Sequence, residues 1–264
     1  MTDAQRVLIT GGAGAIGTML RTRLAKNDRI LRLLDVAPVE SPTENEEVIQ
    51  ASVTDMRAME QACMDVDAVI HLAGRATEAP WPEILETNIN GTFTVFEAAR
   101  WQNVPRVVFA SSNHAVGFFP RDAGPAPDYL FPSPDTYYGV SKATGEGLGA
   151  MYNNRYGLDV ICLRILTCTN RPHGVRGLST WLSPDDAGRL FEAALSTPKP
   201  GFRVVWGVSA NTRGWFSLEE ARAIGYEPVD DAERYAHKVD PAPVDLEFMG
   251  GSFCSPEFDS EKLE

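Results

Sequence analysis

The chain has little of what marks several common classes of protein. Its 264 residues include four cysteines, at 63, 162, 168 and 254, and no two of them stand in a CxxC spacing. That argues against a disulfide scaffold or a zinc ribbon, and leads us to expect reduced thiols in a cytoplasmic protein. The four histidines, at 71, 114, 173 and 237, form no HxxxH or HExxH pair, so no metal site is expected. No apolar run is long enough to span a bilayer. The opening residues, MTDAQRVLITGG, enter a strand pattern almost at once, and no signal peptide is expected. Positive charge is also short: 24 Lys and Arg stand against 36 Asp and Glu, a net charge of −12. Such a field repels phosphate backbones and anionic lipid, so neither nucleic acid nor membrane is expected as a partner. An acidic surface also suits a salt-rich cytoplasm. No internal repeat or low-complexity tract is visible, apart from a Pro- and Gly-rich loop over 120–134.

Short apolar runs that alternate with segments of helical period are present instead. Val7–Thr10, Ile30–Asp35, Glu47–Gln50, Ala68–Leu72, Arg106–Ala110 and Val160–Ile165 read as strands. Between them Ala15–Lys26, Thr54–Cys63 with Thr54 as its cap, Pro82–Trp101 and Asp135–Tyr156 closed by Gly157 read as helices. Continuous apolar strands separated by helices predict a parallel sheet buried on both faces, an α/β doubly wound (Rossmann) fold. After Ile165 the pattern loosens. Residues 166–180 read as loop, Ser183–Ser196 as a helix, Phe202–Gly207 as a strand and Leu218–Ile224 as a helix. This predicts a dinucleotide-binding domain over 1–165 and a small C-terminal substrate lobe over 166–264, with a tail from Pro241 that wraps the surface.

The first strand runs straight into TGGAGAIG, residues 10–17. Glycines at 11, 14 and 17, with Ala15 and Ile16 between the last two, let the backbone approach a pyrophosphate and aim helix N–H groups at it. Asp35 ends the second strand, about 20 residues on, where a carboxylate accepts from an adenosine ribose and repels a 2′-phosphate. NAD is therefore expected rather than NADP. Asp55 has two equal readings, a contact to adenine or an early residue of the helix near Thr54. Ala73 and Gly74, in HLAG, are small enough for a cofactor to lie across the strand tip. Asn88 and Gly91 sit in a helical stretch that favours neither residue. Such breaks mark function or close packing.

The fifth strand ends in Ser111-Ser112-Asn113-His114, where ligands bind in a doubly wound sheet. Tyr138 and Lys142 lie four apart on the following helix and share a face; Tyr137 meets Ser141 at that spacing instead. A tyrosine with pKa about 10 is on the order of 0.1% ionised at pH 7. A nearby ammonium and a positive nicotinamide both favour the phenolate. Ser112 would hold a substrate hydroxyl, Tyr138 would take its proton, and hydride would leave the same carbon.

As a set, TGGAGAIG, HLAG, Ser112 and YGVSK resemble the short-chain dehydrogenase/reductase superfamily in its extended form. That resemblance implies that Lys142 also binds the nicotinamide ribose, and that copies associate into a homo-oligomer. FASSNHAVGFFP, RILTCTNRP, RGLSTWLSPDD and VVWGVSAN further resemble the NAD-dependent uronate dehydrogenases, which oxidise C1 of D-galacturonate or D-glucuronate to an aldarolactone. Carried over by motif, Ala76, Thr77, Ser112, Asn113, His114, Tyr138, Thr167 and Arg176 would line the sugar site. Ala76 offers backbone contacts only, and Thr167 keeps a hydroxyl where the family pattern has serine. A uronate carboxylate suits the bidentate guanidinium of Arg176. Residues alone reach an NAD-linked oxidoreductase of a hydroxyl compound; the resemblance adds the sugar acid. Two rivals remain: a nucleotide-sugar epimerase or dehydratase that keeps its NAD, and a non-catalytic NAD-binding regulator.

Overall fold

The computed structural model describes residues 4–121, 124–240 and 247–258. In chain order it runs β1 Gln5–Thr10, α1 Ala15–Leu24, β2 Arg29–Asp35, β3 Glu46–Gln50, α2 Met56–Ala62 and β4 Ala68–His71. Then come α3 Trp81–Glu83, a π-helical turn Ile84–Asn90, α4 Gly91–Trp101 and β5 Arg106–Ser112. A 3-10 turn Asn113–Val116, α5 Tyr137–Tyr156, β6 Asp159–Ile165, β7 Thr167–Cys168, α6 Gly174–Thr180 and β8 Trp181–Leu182 follow. The last regular elements are α7 Pro184–Ser196, β9 Phe202–Gly207 and α8 Glu219–Ala223, and short 3-10 turns close the chain.

Seven strands form one sheet in the order β3-β2-β1-β4-β5-β6-β9, every neighbouring pair parallel. This is the doubly wound architecture that the alternating runs predict. Each sheet face carries its own apolar cluster: Val7, Ile9, Leu31, Leu163 and Phe191 on one side, Leu8, Leu34, Val69, Phe96 and Phe109 on the other. The order in which successive strands are added reverses between β1 and β4, which opens a crevice at their carboxyl ends.

Several expectations need correction. Phe202–Gly207 is the seventh strand of the main sheet and pairs with β6; with α7 packed on α1, the division expected at residue 165 does not follow the sheet. Periodicity cannot tell an edge strand from the strand of a separate lobe. The loop expected over 166–180 contains β7 and α6, and β7 pairs with β8; these elements are too short for a periodic signal. The cap of α2 is Asp55, not Thr54: its carboxylate accepts from Arg57 N and Ala58 N. Glycines 145 and 149 of α5 let that helix lie on β5 and β6, since an added Cβ would meet Phe109 at 2.3 Å and Val160 at 2.8 Å. Of the tail from Pro241, residues 241–246 and 259–264 lie outside the described residues.

Candidate active site

The crevice between β1 and β4 opens into a cavity of about 860 Å³. One end is the turn after β1. Gly11 has φ +77, and a Cβ there would sit 2.8 Å from Ala73 N; one on Gly17 would sit 2.3 Å from Gly11 O. The backbone is thus packed too closely for side chains, as a pyrophosphate cradle requires. Gly11, Gly14, Ala15, Ile16, Gly17, Asp35, Ala73 and Gly74 all line the cavity. Asp35 accepts from Ala13 N and Ala37 N, each at 3.0 Å, so it braces the loop as well as facing it. Ala51, Ser52 and Val53, beyond β3, complete this end. No motif flagged them, because they line it largely by position.

Two residues expected to hold the cofactor stand elsewhere. Asp55 is exposed, serves as the α2 cap and is not among the cavity residues, so its helix reading holds. Asn88 lies behind the wall: its side chain accepts from Arg75 N at 2.7 Å and donates to Arg75 O and Ser141 Oγ at 3.1 Å. It pins the turn at Gly74, whose Cβ position is 3.0 Å from Asn88 Oδ1. Gly91 is a packing glycine, with a Cβ position 2.8 Å from Val53. Thr87, from the π-helical turn, reaches the cavity instead of Asn88. Thr77 is exposed and outside the lining, while Ala76 is within it.

At the other end Ser112, Tyr138 and Lys142 converge. Strand alternation separates the two serines. Ser111 donates to Glu146 Oε1 at 2.7 Å, and Glu146 is held by both arms of Arg164 at 2.7 and 2.8 Å. Ser112 Oγ accepts from His114 N at 3.3 Å and lines the cavity with the Tyr138 phenol. The first turn of α5 is capped twice. Thr136 Oγ1 accepts from Gly139 N at 3.1 Å. Glu78, 8% exposed, accepts from Tyr138 N at 2.8 Å and Tyr137 N at 3.3 Å. The loop after β4 therefore fixes the helix that carries the tyrosine.

Lys142 donates to Ala110 O at 2.8 Å, and its Nζ lies 5.4 Å from the Tyr138 ring centroid. Burial brings this ammonium down to about 8. Burial also pushes the Tyr138 phenol up to about 12, and the Asp135 charge adds to this, while the Ser112 hydroxyl works the other way. The lowering expected from the neighbouring ammonium is thus not a property of the protein alone. Spacing shows which groups share a face; it does not show how deeply they are buried.

The substrate end adds Asn113, His114, Thr167 and Arg176. His114 Nδ1 bonds Asp135 Oδ2 at 2.6 Å, and that carboxylate side chain is fully buried. Thr167 Oγ1 pairs with Thr180 Oγ1 at 3.0 Å. Arg176 comes from α6, the helix that sequence reading took for loop, and its Nη2 donates to Met249 O at 2.7 Å. Burial lowers its pKa, opposed by the Asp135 charge; it remains a cation at any working pH.

Known proteins resemble this chain in sequence and fold. Residues 7–171 match the NAD dependent epimerase/dehydratase family. The chain is 40% identical over 256 residues to a uronate dehydrogenase of Agrobacterium fabrum, an overlap covering 94% of this chain and 96% of that one. It is 41% identical over 262 residues to a uronate dehydrogenase of Pseudomonas syringae pv. tomato, with 96% and 94% covered. It also superposes with a TM-score of 0.89 and 38% identity on a uronate dehydrogenase from Agrobacterium tumefaciens, a tyrosine-to-alanine mutant complexed with NAD, over 95% of this chain and 97% of that one.

Proposed function

From the premise that the chain belongs to the NAD dependent epimerase/dehydratase family, we propose that it oxidises hexuronates, D-galacturonate or D-glucuronate, at C1 to the aldarolactone with NAD as acceptor. The observation that carries this reading is the presence of Arg176 in the same cavity as Ser112, Tyr138 and Lys142. A guanidinium set apart from the phosphate loop suits a second anion, the carboxylate of the sugar.

The residues fit the dinucleotide. Gly11, Gly14 and Gly17 clear room for a pyrophosphate, and Asp35 stands where a ribose would meet it. When bound, NAD supplies the hydride acceptor and a positive charge near the phenol. Ser112 holds the C1 hydroxyl, and Tyr138 accepts its proton. Lys142 provides positive charge beneath the tyrosine ring and a donor for a ribose hydroxyl. Bringing a phenol from about 12 to half-ionisation near pH 7 takes roughly 7 kcal/mol, against roughly 4 for an unperturbed tyrosine. The base is therefore formed in the loaded site, where the proton acceptor and the positive charge coincide.

Association of copies in a cytoplasm belongs to the same reading. Phe93 and Trp101 of α4 and Met151 and Tyr156 of α5 are exposed, and Arg100 lies over both Trp101 and Tyr156. That apolar surface supports association through these helices. Among the described residues, no helix is long and apolar enough to cross a membrane.

NADH formation, followed against galacturonate, glucuronate and UDP-sugars, tests the reading. Net NADH with the uronates alone is expected. NAD that co-purifies and turns over with UDP-sugars without net NADH would establish the epimerase instead. Arg176→Ala should raise KM for the uronate by about 100-fold, the worth of a charge-assisted bidentate pair, with NAD affinity near wild type. Equal losses for both ligands would refute the carboxylate role.

A further inference from the structure

The segment that backs Asn113, His114 and Arg176 at the substrate end of the cavity comes from residues 247–254. We propose that residues 247–254 form a positioning strap for Arg176 and His114, and that Met249–Gly251 thereby helps determine selectivity for the acidic sugar. This rests on the uronate reading for its substrate, but the strap itself is a matter of geometry.

A single oxygen, the carbonyl of Met249, accepts from Arg176 Nη2 at 2.7 Å and from Asn113 Nδ2 at 3.2 Å. It ties together two cavity residues from elements distant in sequence. The oxygen is fixed because the Met249 side chain is 1% exposed and packs in a cluster with Val116, Trp206 and Val208. The strap backbone is laced to residues 117–121: Met249 N donates to Phe119 O, Gly250 N to Gly117 O, and Arg121 N to Glu247 O, at 2.8–2.9 Å.

The two glycines that follow leave no free space. Gly251 has φ +61, and a Cβ there would lie 3.0 Å from Arg176 Nε and 3.2 Å from its Cδ. A Cβ on Gly250 would lie 2.1 Å from Asp135 Oδ2, the oxygen bonded to His114. Two residues on, the Phe253 ring stacks on the His114 imidazole at 4.1 Å. The imidazole is thus held at Nδ1 by Asp135 and over its face by the strap. A tethered guanidinium uses one of its five donors on Met249 and keeps the rest for a ligand, with less freedom to lose on binding. A surface-wrapping tail would need none of these contacts with cavity residues.

The test is a double-mutant cycle between Gly251→Ala and Arg176→Ala, read as KM and kcat for galacturonate. Gly251→Ala alone should raise KM about tenfold and leave kcat and NAD affinity within about twofold. In the Arg176→Ala background the same change should alter KM by less than about twofold, because its target is gone. An equal KM effect in both backgrounds, or no effect in either, overturns the proposal. Phe253→Leu leaves the strap backbone in place and serves if Gly251→Ala does not fold; it should raise KM several-fold with kcat kept, and an unchanged KM overturns the His114 contact. A crystal structure of the variant that folds supplies a readout free of substrate. Arg176 should leave the Met249 carbonyl in Gly251→Ala, or His114 should shift in Phe253→Leu. Side chains that stay in place overturn the strap, even if no uronate releases NADH and the functional reading itself has failed.

Discussion

The imidazole of His71 is held between two hydroxyls, Thr10 Oγ1 at 2.8 Å from Nδ1 and Thr92 Oγ1 at 3.0 Å from Nε2. Burial, reinforced by the Lys142 charge, brings its pKa down to about 3. In the unfolded chain it would titrate near 6.5. Below that value the unfolded state binds a proton that the folded state refuses, so stability falls as pH drops from about 6.5 toward 3. Between pH 7 and 5 this single group accounts for about 2 kcal/mol. Urea unfolding of wild type and His71→Asn at both pH values checks it: the variant should lack that increment, and an equal pH dependence would assign the loss to other groups. At this scale the sequence was a partial guide. The Tyr138–Lys142 pair was legible because a helical spacing of four puts two side chains on one face. The phenol's upward shift was not, because it arises from burial and from Asp135, which tertiary packing brings near. Asp55 had two equal readings because a polar residue after a strand serves as ligand or helix cap, and Asn88 was flagged because it breaks a helical pattern, a signal that a turn brace gives as readily as a cofactor ligand.

At the scale of elements, α5 owes its close seat on the sheet to small residues. Gly145 has Phe109 at 2.3 Å from its Cβ position, whereas Gly147, two residues along, has nothing within 4 Å. Alanine should therefore have opposite effects at the two sites. Gly145→Ala overpacks and should cost about 1–3 kcal/mol. Gly147→Ala gains helix propensity on an exposed face and should add up to about 1 kcal/mol. Thermal unfolding of the two variants checks this, and the same sign at both sites would mean that α5 is not seated as described. The strands and long helices could be read from their periods, to within a residue or two at most ends. The π-helical turn over Ile84–Asn90 could not, since it continues a helical pattern and differs only in its hydrogen bonding. Nor could α6, a seven-residue helix that begins and continues with glycine yet carries Arg176.

For the whole molecule, the sheet order places one end of the cavity on β1 and β2 and the other on β5, α5 and α6, with the returning chain end packed behind it. Gly-loop chemistry was legible because it is local: strand, turn and helix are adjacent in sequence. At the substrate end Ser112 and Tyr138 were legible from strand-end position and helical spacing, Ala76 and Arg176 only through resemblance, and Met249 not at all, since these residues meet only after folding. The net charge of −12 leaves the buried Lys142 and the partly buried Arg176 as local exceptions to an acidic field, and the cavity turns those exceptions toward a sugar acid. The account's central claim is that the phenol of Tyr138 takes the proton of the C1 hydroxyl. The most direct test is the pH profile of kcat/KM for NADH formation from galacturonate, in wild type and in Tyr138→Phe. Wild type should show a rising limb as the base forms, and the variant should lose that limb together with a factor of about 10²–10⁴ in rate. A phenylalanine variant that keeps both the limb and the rate would contradict it.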